Sequence, residues 1–165
     1  MRNQDKLTYR TIYGIIITVI IMTVIIDADA CPVIRLAIAE AKKRNVPVIC
    51  VCDTSHEISD EYATTVIVDK GRDSTDLEVI KLCSGGDIVI TQDYGVASMA
   101  LAKKAVCINQ NGMYYTEDNI DFLMSIRHAA SVERRKHKTR MKGPSKRTQT
   151  DNDNFLNAFT RLLDT

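Results

Sequence analysis

Thr23-Val24-Ile25-Ile26-Asp27-Ala28-Asp29-Ala30-Cys31-Pro32 is the stretch that decides the fold. An apolar, β-favouring run without polar alternation reads as a strand buried on both faces, as inside a parallel sheet. Two carboxylates follow it at once, and Pro32 suits the first turn of a helix. The plan repeats at Gly86-Asp87-Ile88-Val89-Ile90-Thr91-Gln92-Asp93, an apolar strand and then an acid. Between the two, Gly71-Arg72-Asp73-Ser74-Thr75-Asp76 leads into a helix. Asp27, Asp29, Asp73, Asp76 and Asp93 therefore sit where open α/β sheets place their chemistry. Acids gathered there are costly unless water, a cation or a basic ligand offsets them. A divalent metal, Mg²⁺ or Mn²⁺, is the usual resolution, and it points to phosphoryl chemistry.

Outward from these segments, apolar runs alternate with amphipathic ones. This is the pattern of an α/β fold with a mainly parallel sheet covered by helices. Strands are expected at about 22–27, 47–52, 64–68, 88–91 and 105–108. The first helix shows Ile34, Ala37, Ile38 and Ala41 on one face. The second carries Leu77, Ile80 and Cys83, is capped by Asp73 or Ser74, and ends at Gly85-Gly86. A third runs from Gly95 to Lys104. Asn111-Gly112 signals a turn, and 53–62 reads as a loop or short helix. A long helix runs from Glu117 toward Arg134, and a last one starts at about Asp151. Phe155, Leu156, Phe159, Leu162 and Leu163 share one side of it, too apolar for a free tail, so this helix should dock on the body. No internal repeat is visible, and 165 residues suit a single domain, spanning 22–165.

Ligands of open parallel sheets bind beyond the carboxyl ends of the strands, where the strand order reverses. With the order 3-2-1-4-5, strands one and four are neighbours at that point. Asp27 and Asp29 then face Asp93 across a crevice, and Asp76, on the first turn of the second helix, can complete the cluster. Such a cluster suits Mg²⁺ or Mn²⁺. Asp27, Asp29, Asp76 and Asp93 are the candidate metal ligands and, with Thr91, the candidate catalytic set. Asp73 reads better as a helix cap, and Asp53 and Asp69 as loop acids.

The composition, 45% apolar and 26% charged, is that of a soluble globular protein. The net charge of +1 conceals an asymmetry. Residues 127–147 hold nine Lys or Arg and one acid, a balance of +8, which leaves −7 on the rest. An acidic body with a basic arm suits nucleic acid, while a solvated helix and loop is the alternative. Arg134, Arg135, Lys136, Lys138, Arg140 and Lys142 are the candidate phosphate contacts. Three Phe, six Tyr and no Trp leave few platforms for stacking bases.

The N-terminal region is distinct. Arg2, Lys6 and Arg10 precede an uncharged run from Thr11 to Ile26, which resembles a signal peptide or short anchor. That run is slightly short for a membrane span, and its end is needed as the first strand, so no span is expected. The favoured reading starts translation at Met22 and treats 1–21 as an extension outside the fold. An N-terminal anchor is the alternative. The five cysteines, at 31, 50, 52, 83 and 107, have no zinc-type spacing and read as core residues in a reducing cytoplasm.

The DADACP segment, the TQDYGVAS segment and the late RMKGP…FLNAFTRLL stretch, in this order and spacing, resemble the YaiI/YqxD family of uncharacterised bacterial proteins. The resemblance covers about Met22 to Leu163. That family is regarded as PIN-domain-like, which implies a three-layer α/β/α sandwich and metal-dependent nuclease activity, with RNA favoured over DNA. The PIN pattern of a first-strand Asp, a helix acid and a T-x-D after the fourth strand is matched by Asp27, Asp76 and Thr91-x-Asp93. KGPSKRT departs from the family's usual KGPPPFT-like stretch. Two further readings stay open. One is a phosphatase of the haloacid dehalogenase type, with Asp27 as nucleophile and Asp29 as acid. The other is a non-catalytic nucleic-acid-binding protein.

Overall fold

The computed structural model describes residues 7–12, 15–20, 22–29, 31–55, 58–71, 73–137 and 146–165, with side chains from 22 to 133 and from 146 onward within those ranges. β1 (Leu7–Ile12) and β2 (Ile15–Ile20) pair antiparallel as a two-stranded sheet of their own. The central sheet has six strands: β3 (Val24–Asp27), β4 (Val48–Asp53), β5 (Thr64–Val68), β6 (Ile88–Ile90), β7 (Val106–Ile108) and β8 (Tyr114–Tyr115). Their order is β5-β4-β3-β6-β7-β8, parallel except for the antiparallel β7–β8 pair. The five expected strands thus take the order 3-2-1-4-5, and β8 adds a sixth. The Asn111-Gly112 turn joins β7 to β8, with Gly112 at φ +86. A Cβ at Gly112 would also lie 2.6 Å from the Asn154 carbonyl oxygen.

Among the described residues, five helices cover the sheet: α1 (Ile34–Lys43), α2 (Ser74–Leu82), α3 (Tyr94–Ala102), α4 (Glu117–His137) and α5 (Gln149–Leu163). Alternation along the strands separates two cores. Val24, Ile26, Val48, Cys50, Ile88 and Ile90 point to one face, where Ala37, Ile38 and Ala41 of α1 meet Phe155, Phe159 and Leu163 of α5. Ile25, Val51, Val89 and Cys107 point to the other, against Val79 of α2, Val96, Ala97 and Ala100 of α3, and Ile120 of α4. The result is a three-layer sandwich.

The docked last helix is as its apolar face requires. Thr148 caps α5 in a reciprocal box with Asp151. Phe155 and Phe159 stack at 5.3 Å and are fully buried, so truncating either to Ala should cost about 3–5 kcal/mol. Arg44 ties the end of α1 to Asp164.

At the edge of the sheet opposite the strands' carboxyl ends, the buried Asp87 carboxylate accepts the Thr23 N–H at 3.0 Å and the Ser84 N–H at 2.8 Å. The first bond pins the beginnings of β3 and β6 side by side, and the second closes the turn from α2 into β6. The two strands then stay in register from Val24 opposite Ile88 to Ile26 opposite Ile90. Among the described residues, no helix is long and apolar enough to cross a membrane. The uncharged Thr11–Ile26 run is divided between three strands, β1, β2 and β3.

Candidate metal centre

β3 and β6 are the neighbours at which the strand order reverses, and both deliver an acid past their carboxyl ends. Asp27 closes β3, Asp93 follows β6 by three residues, and Asp76 lies on the first turn of α2. Asp27, Asp29, Asp76 and Asp93 line one open cleft of about 320 Å³, together with Gln92 and Arg127. Four acids expected from three separate segments are therefore brought together.

Their roles differ. The Asp27 carboxylate accepts the Thr91 hydroxyl through Oδ2 at 2.7 Å, and Thr91 Oγ1 accepts the Asp93 N–H at 3.0 Å. Thr91 is buried and couples the two acids rather than facing the cleft. Burial is the main force raising the Asp27 pKa, to about 6; the Thr91 bond opposes it, and the charges of Asp76, Asp29 and Asp93 add to it. Asp76 is also raised, by burial first and then by Asp93, Asp73 and Asp29. Asp93 differs. Burial pushes it up, but bonds from Arg127 and from the Gly95 and Val96 amides bring it below the usual carboxylate range. Its Oδ1 caps α3 through those amides at 2.7 and 3.2 Å, and its Oδ2 accepts Arg127 Nη1 at 2.8 Å.

Asp29 is a brace. Its Oδ1 accepts the Asp53 N–H at 3.1 Å, and its Oδ2 accepts the Thr75 hydroxyl at 2.7 Å. It joins the ends of β3 and β4 to the first turn of α2, beside Asp76. A carboxylate so engaged is poorly placed to act as the proton donor that a haloacid-dehalogenase mechanism requires. Asp73 occupies the N-cap position of α2 but adopts a left-handed conformation, φ 60, and makes no capping side-chain bond. Asp53 is the last residue of β4, not a loop acid, and accepts the Ser55 N–H.

The donors are all carboxylate oxygens, the hard ligands Mg²⁺ and Mn²⁺ take, often with several waters retained. Burial first, and the neighbouring carboxylates after it, raise Asp27 and Asp76, so a cation in the cleft would favour their charged forms. Among the described residues, no three of His, Cys, Asp and Glu converge closely enough to chelate one ion by themselves. The set suits an ion held by one or two acids and water.

Arg127 and Gln92 are cleft residues that motif reading passes over. Arg127 continues the inward stripe of α4 set by Ile120 and Leu123, so its side chain reaches the cleft where theirs reach the core. Of the candidate phosphate contacts, Arg134, Arg135 and Lys136 lie on α4, with side chains outside the described residues. Lys138, Arg140 and Lys142 lie outside the described residues altogether. All five cysteines are buried free thiols. Burial raises Cys31 to about 11, so next to the acids it remains a protonated packing residue.

A protein family described as uncharacterised, the YaiI/YqxD family, matches residues 25–165. A UPF0178 protein of Clostridium acetobutylicum is 46% identical over 143 residues, covering 86% of this chain and 97% of that one. A UPF0178 protein of Alkaliphilus oremlandii is 48% identical, covering 87% and 92%. One from Exiguobacterium sibiricum is 44% identical, covering 86% and 96%. No solved structure matches.

Proposed function

The chain belongs to the YaiI/YqxD family, and we propose that it is a divalent-metal-dependent nuclease that hydrolyses phosphodiester bonds, with RNA preferred over DNA. One observation carries the reading: Asp27, Asp76 and Asp93, from three separate segments, share a single cleft at the switch point of a parallel sheet. One or two of Asp27, Asp76 and the outer oxygen of Asp93, with water completing the shell, would hold Mg²⁺ or Mn²⁺, and the resemblance to PIN-like proteins supports the same residues. When bound, such an ion activates water and offsets charge on a scissile phosphate.

The chain's own residues supply the framework. Thr91 fixes the spacing of Asp27 and Asp93, and Asp29 holds α2 so that Asp76 faces them. The segment 127–147, whose first residues form the end of α4, has a balance of +8 and supplies the cations that a polyanion needs. Buried free thiols suit a reducing, cytoplasmic setting.

The test is cleavage of labelled single-stranded RNA and DNA by the purified protein with Mn²⁺, Mg²⁺ or EDTA, beside Asp27→Asn prepared identically. Metal-dependent RNA cleavage lost in the variant supports the reading. Equal cleavage by both proteins marks a contaminant and removes it. In a salt titration of RNA binding, replacing Arg135, Lys136 and Lys138 with Ala should weaken affinity and flatten the salt slope, with little effect on metal affinity. Tight RNA binding without metal-dependent cleavage would indicate the non-catalytic alternative instead.

A further inference from the structure

We infer that Arg127 is a placeholder cation that a divalent metal displaces from Asp93 and that then serves as a phosphate donor in the same cleft. The inference rests on the metal-dependent reading above. Asp93 presents a fixed carboxylate, because its Oδ1 is bound by the Gly95 and Val96 amides at the start of α3. With Oδ1 engaged by those amides, Oδ2 is the oxygen that meets a cation, and Arg127 Nη1 already contacts it at 2.8 Å. A metal approaching Asp93 therefore meets a like charge on the oxygen it needs.

Arg127 is built to move a short way. Its side chain is 53% exposed, so it is not locked by packing. The guanidinium carbon also lies 5.6 Å from the centre of the Tyr94 ring, a cation–π contact that can keep the group at the cleft after the ion pair opens. Tyr94 in turn packs edge-on against Tyr115 at 5.7 Å, so this platform belongs to the fold. Once released, the guanidinium offers a planar fork of donors matched to a phosphate. The arrangement couples two events. The metal frees Arg127, and Arg127 binds phosphate where the metal sits. It also explains why a basic residue stands among the acids instead of further along the charged arm.

The two roles carry opposite signs, which makes them testable without turnover. Manganese isotherms are measured by calorimetry on the full chain for the parent, Arg127→Gln, Arg127→Lys and Asp27→Asn. Binding of a labelled ten-nucleotide RNA is measured in EDTA and in Mn²⁺, with its integrity checked on a gel. Arg127→Gln should bind Mn²⁺ about tenfold more tightly, within the ordinary range of coupling between sites. The same variant should lose most of the gain in RNA affinity that Mn²⁺ gives the parent, and Arg127→Lys should restore part of both effects. Equal Mn²⁺ affinity in the parent and Arg127→Gln, with Asp27→Asn still defective, overturns the placeholder and leaves the metal site standing. A parent that takes up no Mn²⁺ overturns both.

Discussion

Replacing Asp27 with Asn should stabilise the metal-free protein. The folded pKa of Asp27 is about 6 against an ordinary 3.8, with burial as the first cause. That rise corresponds to about 3 kcal/mol of penalty on the charged form at neutral pH. An amide of the same shape avoids that penalty, and its oxygen can still accept the Thr91 hydroxyl. In a domain of this size, about 3 kcal/mol is roughly 6–12 °C of melting temperature. The sign fixes the pH window. Because the folded pKa lies above the unfolded one, the penalty is full above pH 6, shrinks as pH falls toward 3.8, and vanishes below it. Urea denaturation in EDTA at pH 7.5 and pH 4 should therefore show the full advantage for Asp27→Asn at the first pH and only about 0.5 kcal/mol of it at the second. Adding Mn²⁺ at pH 7.5 should narrow the gap or reverse the order, since an ion bound by the folded parent stabilises it by mass action. A variant equally or less stable in EDTA at pH 7.5, or an advantage unchanged at pH 4, would refute the account of Asp27 as a desolvated, uncompensated charge.

Asp29→Ala should lower stability by roughly 2–3 kcal/mol, because the Asp53 N–H and the Thr75 hydroxyl both lose their acceptor. An unchanged urea midpoint would deny the brace. Thr91→Val removes the bond that opposes the rise of the Asp27 pKa, so the Asp27 midpoint should move above about 6 in a carboxyl-carbon NMR titration. A midpoint at or below the parent value would contradict the coupling.

Much of the architecture could be read from the chain because its signals are local. An apolar run ending in Asp27 and another ending at Thr91-x-Asp93 identify both switch-point strands. Period-2 alternation assigns their faces, and the apolar side of α5 announces its docking. The remaining features depend on partners distant in sequence. Nothing near Asp29 shows that Thr75, 46 residues away, will occupy its Oδ2. Asp73 has the residue type of a cap, but its left-handed backbone turns the side chain from that task. β8 is two residues long, too short for any periodicity. Arg127 belongs to no motif and stands alone, with no other Asp, Glu, Lys or Arg between Asp121 and Glu133. Its place on the inward stripe of α4, four residues after Leu123 and seven after Ile120, was the available signal.

The position of α5 has a consequence for biosynthesis. Phe155 and Phe159 are the largest fully buried side chains among the described residues, and they lie on the same face of the sheet as α1. Strands β3 to β8 of the central sheet and helices α1 to α4 are translated before them. While the nascent chain emerges from the ribosome, the half of that face destined for α5 stays open to water, although the strands beneath it are already available to pair. The opposite face acquires α2, α3 and α4 in step with its strands. One side of the sandwich can thus mature during elongation and the other only after the final helix has been made. The interval between the two is when a chaperone would find its binding surface on this protein, and when stalled or truncated chains would be most prone to aggregate.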